Sequence, residues 1–184
     1  MSESIKRPPF IISTTDVPEK TFSYPNSDET MGPSRPIGRA AGLLKIGLHV
    51  KRLPPGHRSS WPHAESQEEE FVYVLEGAVD AWVDGVLYPM KAGDLAAFPC
   101  GTGICHTFLN NGTEAATLLV GGEANRSDNQ IYYPLHPQRR GDMPWSHWWS
   151  DPPQRPMGPH DGRPDAHHTQ SPTGAPAPGP RRQE

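Results

Sequence analysis

The chain has 184 residues, 34% of them apolar, and a formal net charge of −4, which suits one domain with a buried core. No run approaches the roughly 20 apolar residues of a membrane span, and the first ten residues carry no apolar leader core behind their charges. The expectation is a soluble cytoplasmic protein, with no membrane partner and, lacking a basic patch or a DNA-reading helix, no nucleic acid partner.

Composition divides the chain. Of the 23 prolines, six lie in residues 1–36 and nine in 152–184, leaving eight for the 115 residues between. Residues 1–36 are rich in Pro, Ser and Thr and read as an arm, with Phe10-Ile11-Ile12 the one apolar knot that would dock it on its own body or a partner's. Gly47 to Leu53 alternates Leu48 and Val50 with His49 and Lys51, the pattern of a first strand, and Pro54-Pro55-Gly56 stops it. Phe71 to Leu75 is an unmistakable strand, opened by Glu70. Alternation puts Glu70, Val72 and Val74 on one face and Phe71, Tyr73 and Leu75 on the other. Both faces are apolar, so both should be covered.

Ala78 to Val83 and Val86 to Met90 flank Asp84-Gly85, a strong two-residue hairpin signal. Leu95 to Phe98 is short and apolar, and Asn111-Gly112 precedes a last strand at Ala115 to Val120. Short strands at this spacing, without a helical period, mean an all-β sandwich or barrel. Beyond Gly122 the pattern becomes irregular yet stays aromatic, with Trp145, Trp148 and Trp149 three of the five tryptophans; a solvated tail would not carry them, so this segment should pack over the body. Residues 166–184, with His167-His168 and Ala-Pro-Gly repeats, have the composition of a disordered tail, and that His pair reads as exposed and without partners. The organisation expected is therefore an arm at 1–36, a β-barrel at 37–124, an aromatic cover at 125–165 and a tail at 166–184. Cys100 and Cys105, the only cysteines, read as reduced thiols with small buried side chains.

Candidate chemistry lies in two stretches. In Gly56 to Gly77, His63 and Glu65 stand two apart; if extended they share a face, roughly 6.6 Å apart along the strand. In Gly93 to Asn110, His106, Phe108 and Asn110 share a face. If these strands belong to one barrel, His63, Glu65, Glu70 and His106 converge. A lone His106 would read as a core histidine, but its spacing agrees with that of His63 and Glu70, which favours a site residue. Glu65 and Glu70 buried together would repel unless a cation or a shared proton lay between them. Glu68 and Glu69 read as solvated. His57 and Arg58 could meet an anionic group at the barrel mouth, and Tyr73 and Phe108 are weaker substrate-contact candidates.

These residues carry a resemblance. Glu70 and Gly77 keep the end of the first motif of the cupin family, with His63 as its first imidazole. Gly93, Pro99, Gly101, His106 and Asn110 match the second. Two departures stand out: Glu65 occupies the place of the second His, and four residues, not two, separate Gly101 from His106. The chain thus resembles a single-domain cupin over roughly residues 40 to 165. The wording SSWPHAESQEEEFVYVLEG, FPCGTGICHTFLNN and GPHDGRPD is similar to a subgroup of small cupins described as uncharacterised or as candidate sugar-phosphate isomerases.

The resemblance implies a jelly-roll barrel (double-stranded β-helix) holding one divalent metal ion, Mn, Fe, Zn or Ni, on His63, Glu65, Glu70 and His106, or none because Glu65 replaces the usual second His. Glu65 and Glu70 would be the catalytic carboxylates. The expected function is small-molecule binding, with metal-dependent isomerase, epimerase or lyase chemistry on an oxygen-rich metabolite such as a sugar or sugar phosphate. The alternatives are a non-catalytic sensor or an iron-dependent dioxygenase. The outward face of Phe71, Tyr73 and Leu75 leads to an expected isologous homodimer, unless the Trp-rich segment covers that face within one chain.

Overall fold

The computed structural model describes residues 7–168, so most of the expected tail lies outside the described residues. Ten strands appear in chain order: β1 (Ser34–Arg35), β2 (Ile46–Leu53), β3 (Ala64–Glu65), β4 (Glu70–Glu76), β5 (Ala78–Val83), β6 (Val86–Lys91), β7 (Leu95–Phe98), β8 (His106–Leu109), β9 (Ala116–Glu123) and β10 (Ile131–Tyr132). The longest described helices, α1 (Ile37–Ala40) and α2 (Arg139–Asp142), are single turns. None of the described helices is long and apolar enough to cross a membrane.

The strands form a five-stranded sheet in the order β1-β2-β9-β4-β7, a three-stranded sheet β6-β5-β8 and the pair β10-β3. Their pairings are antiparallel, and the two larger sheets close on each other as a jelly roll. Alternation places Val72 and Val74 of β4 inside, with Leu53, Val79, Ala81, Phe98, Phe108 and Leu118. Leu53, Val74 and Leu118 have no exposed surface, and each such side chain stabilises the barrel by about 1.5–3 kcal/mol relative to an exposed one. The β5–β6 turn has positive φ at both Asp84 (46°) and Gly85 (84°), the backbone of a type I′ hairpin, whose twist matches the strands it joins.

The arm crosses its own barrel, though not through the expected knot. Phe10 and Ile11 are 68% and 52% exposed, whereas Val17, Tyr24 and Met31 are buried. Tyr24 stacks on Trp61 (ring centroids 4.1 Å apart, 13° between planes), and Trp61 stacks in turn on His136 (3.8 Å, 9°). Tyr24 and Met31 thus dock the arm on Trp61, Tyr133 and Trp148, where aromatic rings bury large apolar areas.

The aromatic cover packs on the opposite sheet from β4. Trp82, Cys105 and Leu109 on the outer face of β5 and β8 form a buried cluster with Tyr132, Leu135 and Trp149, and Trp82 Nε1 donates to the His160 carbonyl (2.8 Å). The alternative, in which the Trp-rich segment covers Phe71, Tyr73 and Leu75 on their own chain, does not hold among the described residues. Leu75 and the neighbouring Leu95 remain 41% and 59% exposed, because the cover is anchored to the other sheet. Both cysteines are free thiols; Cys105 is buried and Cys100 partly so. His167 and His168 are exposed but not unpartnered, since His167 Nε2 meets the Gly56 carbonyl (3.0 Å) and His168 Nε2 the Asp161 carboxylate (3.1 Å).

Candidate metal centre and cavity

Three side chains meet inside the barrel. His63 immediately precedes β3, Glu70 opens β4 and His106 opens β8. Both imidazoles direct Nε2 at the same carboxylate oxygen: His63 Nε2 is 3.3 Å and His106 Nε2 3.1 Å from Glu70 Oε2. The other ring nitrogens turn to main-chain carbonyls, His63 Nδ1 to Trp61 (2.8 Å) and His106 Nδ1 to Ile104 (3.5 Å). The His106 ring is also held flat against Phe98 (3.5 Å, 5°).

Such an arrangement fits a metal. An imidazole that donates Nδ1–H to a carbonyl presents the Nε2 lone pair, which is how ligating histidines are oriented. One donor atom from each of His63, Glu70 and His106 lies within 4.8 Å of the others, and two imidazoles with a carboxylate suit zinc, iron, manganese or nickel. Glu65 is adjacent without joining the trio. Its Oε1 is 3.9 Å from His63 Nε2, and its other oxygen accepts from Asn129 Nδ2.

The charges are tightly coupled. Burial disfavours a charged Glu70, but hydrogen bonds from His106 and His63 outweigh it and hold the carboxyl well below its usual range. Burial likewise opposes a charged His63, yet Glu70 and Glu65 raise it to about 9. Burial lowers His106, with its hydrogen bond to Glu70 pulling the other way. Glu65 is raised to about 7, first by burial and then by the charge of Glu70.

From this centre a cavity of about 310 Å³ opens outward, a size proper to small-molecule sites. Its walls include Phe108, Val72 and Val120 from the barrel, His49 and Lys51 from β2, and Phe22 and Tyr24 from the arm. Lys51 Nζ donates to the Ser59 carbonyl (2.7 Å), and burial lowers it to about 8, partly countered by Glu70. Sequence reasoning passed over Lys51, His49 and the arm aromatics. The only signal was that His49 and Lys51 share a strand face with Leu53.

The other candidates lie apart from the cavity. Arg58, 1% exposed, has its guanidinium engaged by both oxygens of Glu29 (2.7 and 2.5 Å) and by the Gly162 carbonyl (2.8 Å). It therefore fastens arm and C-terminal segment to the barrel instead of facing the mouth. His57 caps its own turn through the Pro55 carbonyl (3.1 Å). Tyr73 is on the outer face of β4, opposite Leu95. Glu65 does not border the cavity; with Glu68, Glu70 and His106 it lines a recess of about 10 Å³ behind the centre. Glu68 is half-buried there, its Oε1 accepting from the Arg126 amide (2.8 Å), while Glu69 is exposed.

Residues 49–122 match the family model of the cupin domain. A solved sugar phosphate isomerase of the cupin superfamily from Silicibacter pomeroyi is 33% identical, over 67% of this chain and 80% of that one, with a TM-score of 0.62. The chain is a cupin. This cupin is also similar in structure to a candidate sugar phosphate isomerase from Acidithiobacillus ferrooxidans, at 27% identity, a TM-score of 0.63 and coverage of 68% of this chain and 81% of that one. Among curated sequences it is 35% identical over 83 residues to the polyketide synthase CurC of Streptomyces cyaneus, covering 45% of this chain. It spans about half, 49%, of that relative's length.

Proposed function

We propose that this small-molecule-binding cupin is a metal-dependent enzyme with isomerase, epimerase or lyase chemistry on an oxygen-bearing small metabolite. One observation carries the reading: two histidines, each with Nδ1 turned to a main-chain carbonyl, aim Nε2 at a single oxygen of Glu70. His63, Glu70 and His106 would hold one divalent ion. Bound there, the ion would polarise a substrate carbonyl or bring a water's pKa to about 7. The Trp61 carbonyl and the Phe98 ring keep the two imidazoles in ligating orientation. Glu65 lies behind the centre and away from the cavity, so we assign it to the ion, as fourth ligand or as the neighbouring carboxyl that takes up a proton near neutrality. The arm aromatics shield the cavity from water. The names of the two solved relatives make sugar phosphates the first substrates to screen.

The test is elemental analysis of the purified protein beside His63→Ala and Glu70→Gln variants of verified fold, followed by substrate screening in deuterated water. About one divalent ion per chain, lost in both variants, with metal-dependent deuterium incorporation into a hydroxy-carbonyl substrate, is the expected result. No ion after refolding with manganese, iron, zinc or nickel would overturn the metal reading. A bound ligand that is retained without turnover would instead favour a sensor.

We further propose an isologous dimer through the outer face of the five-stranded sheet. Ile46, Leu75 and Leu95 are 52%, 41% and 59% exposed around the half-buried Phe71 and Tyr73. A second copy would cover this apolar face with the same residues.

A further inference from the structure

The walls of the cavity say more about its guest than the metal centre does. Its polar groups are mostly committed to one another. Ser59 Oγ meets Thr107 Oγ1 (3.3 Å) and accepts from the Phe108 amide (3.1 Å). Ser60 Oγ lies 3.4 Å from both His63 Nδ1 and Thr107 Oγ1, and Ser34 Oγ lies 3.5 Å from His49 Nδ1. Lys51 differs, because its ammonium has three N–H groups and gives one to Ser59.

Lys51 is also the one full positive charge on the cavity wall outside the metal centre. Burial, and then the charge of Lys51, lowers His49. Arg52, the next residue, falls on the opposite strand face and pairs with Glu19 (3.7 Å), and Arg58 is occupied by Glu29. A phosphate dianion is best met by a guanidinium fork, and no arginine among the described residues lines this cavity; a sugar calls for many free hydrogen-bonding partners, whereas the hydroxyls here lie within 3.5 Å of one another or of an imidazole. It supplies flat and branched apolar walls, with Phe22 and Tyr24 from the arm and Val72, Val120 and Phe108 from the barrel. The Tyr24 wall is rigid because its ring is stacked on Trp61. Along the sheet, Glu70 is level with Gly47, four residues from Lys51 and two strands away, so the two backbone positions are roughly 16 Å apart, and both side chains reach into the cavity between them. A ligand that meets Lys51 can therefore also reach the centre.

We propose that the cavity binds a flat, conjugated oxyanion of single charge, a phenolate, enolate or arylcarboxylate, with its charge on Lys51 and its ring between the arm aromatics and the valines. The opposite end of the ligand then lies at His63, Glu70 and His106. The assignment narrows the oxygen-bearing metabolite proposed above to this class, against the sugar phosphates that the relatives' names suggest, and rests on that function only for the last contact.

The test is calorimetric titration in chelator with three probes: 1-hydroxy-2-naphthoate, the neutral 2-naphthol and glucose 6-phosphate. The naphthoate should bind at least about tenfold more tightly than the other two, as a charge-assisted contact in a partly dry site implies. Lys51→Met and Lys51→Gln, both checked for fold, should each weaken the naphthoate by about tenfold and leave 2-naphthol within about twofold. Phe22→Ala should weaken both naphthalenes. Glucose 6-phosphate binding as tightly as the naphthoate, or Lys51 variants that bind the naphthoate like the parent, would overturn the proposal. Because the titrations run without metal, failure of the parent to take up an ion would sink the metalloenzyme reading alone.

Discussion

His63 and His106 face each other across an antiparallel bridge, each donating its amide to the other's carbonyl, at 3.2 and 2.9 Å. Directly paired residues in antiparallel strands project to the same side, so the two imidazoles converge because of backbone register and not through long flexible side chains. The centre is built before any ligand arrives. Divalent metal at about 100 times its dissociation constant should then stabilise the fold by about 2.7 kcal/mol, raising Tm by about 5–10 °C for a chain of this size. Differential scanning calorimetry should show this rise for the parent and its absence for His63→Ala and His106→Ala. Equal rises in all three would place the ion elsewhere.

Acid should loosen the arm. Burial, with Arg58 and Arg163 nearby, lowers His136 to about 4 even though Glu29 pulls the other way. A depressed histidine contributes stability that is present above its ordinary value of about 6.5 and is lost as pH falls towards 4. Glu29, also held below its usual range despite burial by Arg58 and Trp61, adds a loss of the same sign at lower pH. Titrating the charged neighbours in turn, Trp61 fluorescence and urea midpoints should both decline between pH 6.5 and 4.5. His136→Phe should flatten that part of the curve, and a slope unchanged by this substitution would locate the titration elsewhere.

Arg58 joins three segments distant in sequence, since Glu29 belongs to the arm and Gly162 to the C-terminal segment. Removing one member of a buried, hydrogen-bonded pair leaves the other uncompensated, a loss of about 3 kcal/mol. Urea unfolding of Arg58→Ala should show this drop, together with faster proteolysis of the arm. A change below about 0.5 kcal/mol, the range of ordinary surface substitutions, would mean that the pair is immaterial.

Sedimentation at micromolar concentration should give about twice the 20.3 kDa chain mass. Leu75→Lys combined with Leu95→Lys should give single chains with the same circular dichroism, because a desolvated ammonium on an isologous face is met twice. A parent that sediments as one chain would end the dimer proposal.

Much of the barrel could be read from the sequence because β4, the β5–β6 hairpin and β7 have sharp local signals: strict alternation, Asp84-Gly85, and a short apolar run. His63, Glu70 and His106 were legible through spacing. Lys51 was not, and the reason is physical. Alternation along β2 separates Leu48 and Val50 from His49 and Lys51 without saying which face is inner, and the inner face here borders a polar cavity before reaching Leu53 in the core. The arm was hidden for a related reason, since Tyr24 and Met31 are isolated in sequence and become a cluster only with Trp61, Tyr133 and Trp148. Nor could the sequence say which sheet the tryptophans cover, because both sheets offer an apolar outer face.

The latch over the cavity has an evolutionary consequence. The family's shared span, residues 49–122, contains the metal-type centre, Lys51 and Trp61, whereas Phe22 and Tyr24 precede it and Tyr133 and Arg139, which also hold Tyr24, follow it. The barrel walls and the cation are thus encoded within the shared span, and the arm's aromatic wall outside it. A relative aligned only over the shared span therefore says nothing of this aromatic wall, which the two ends of the chain supply.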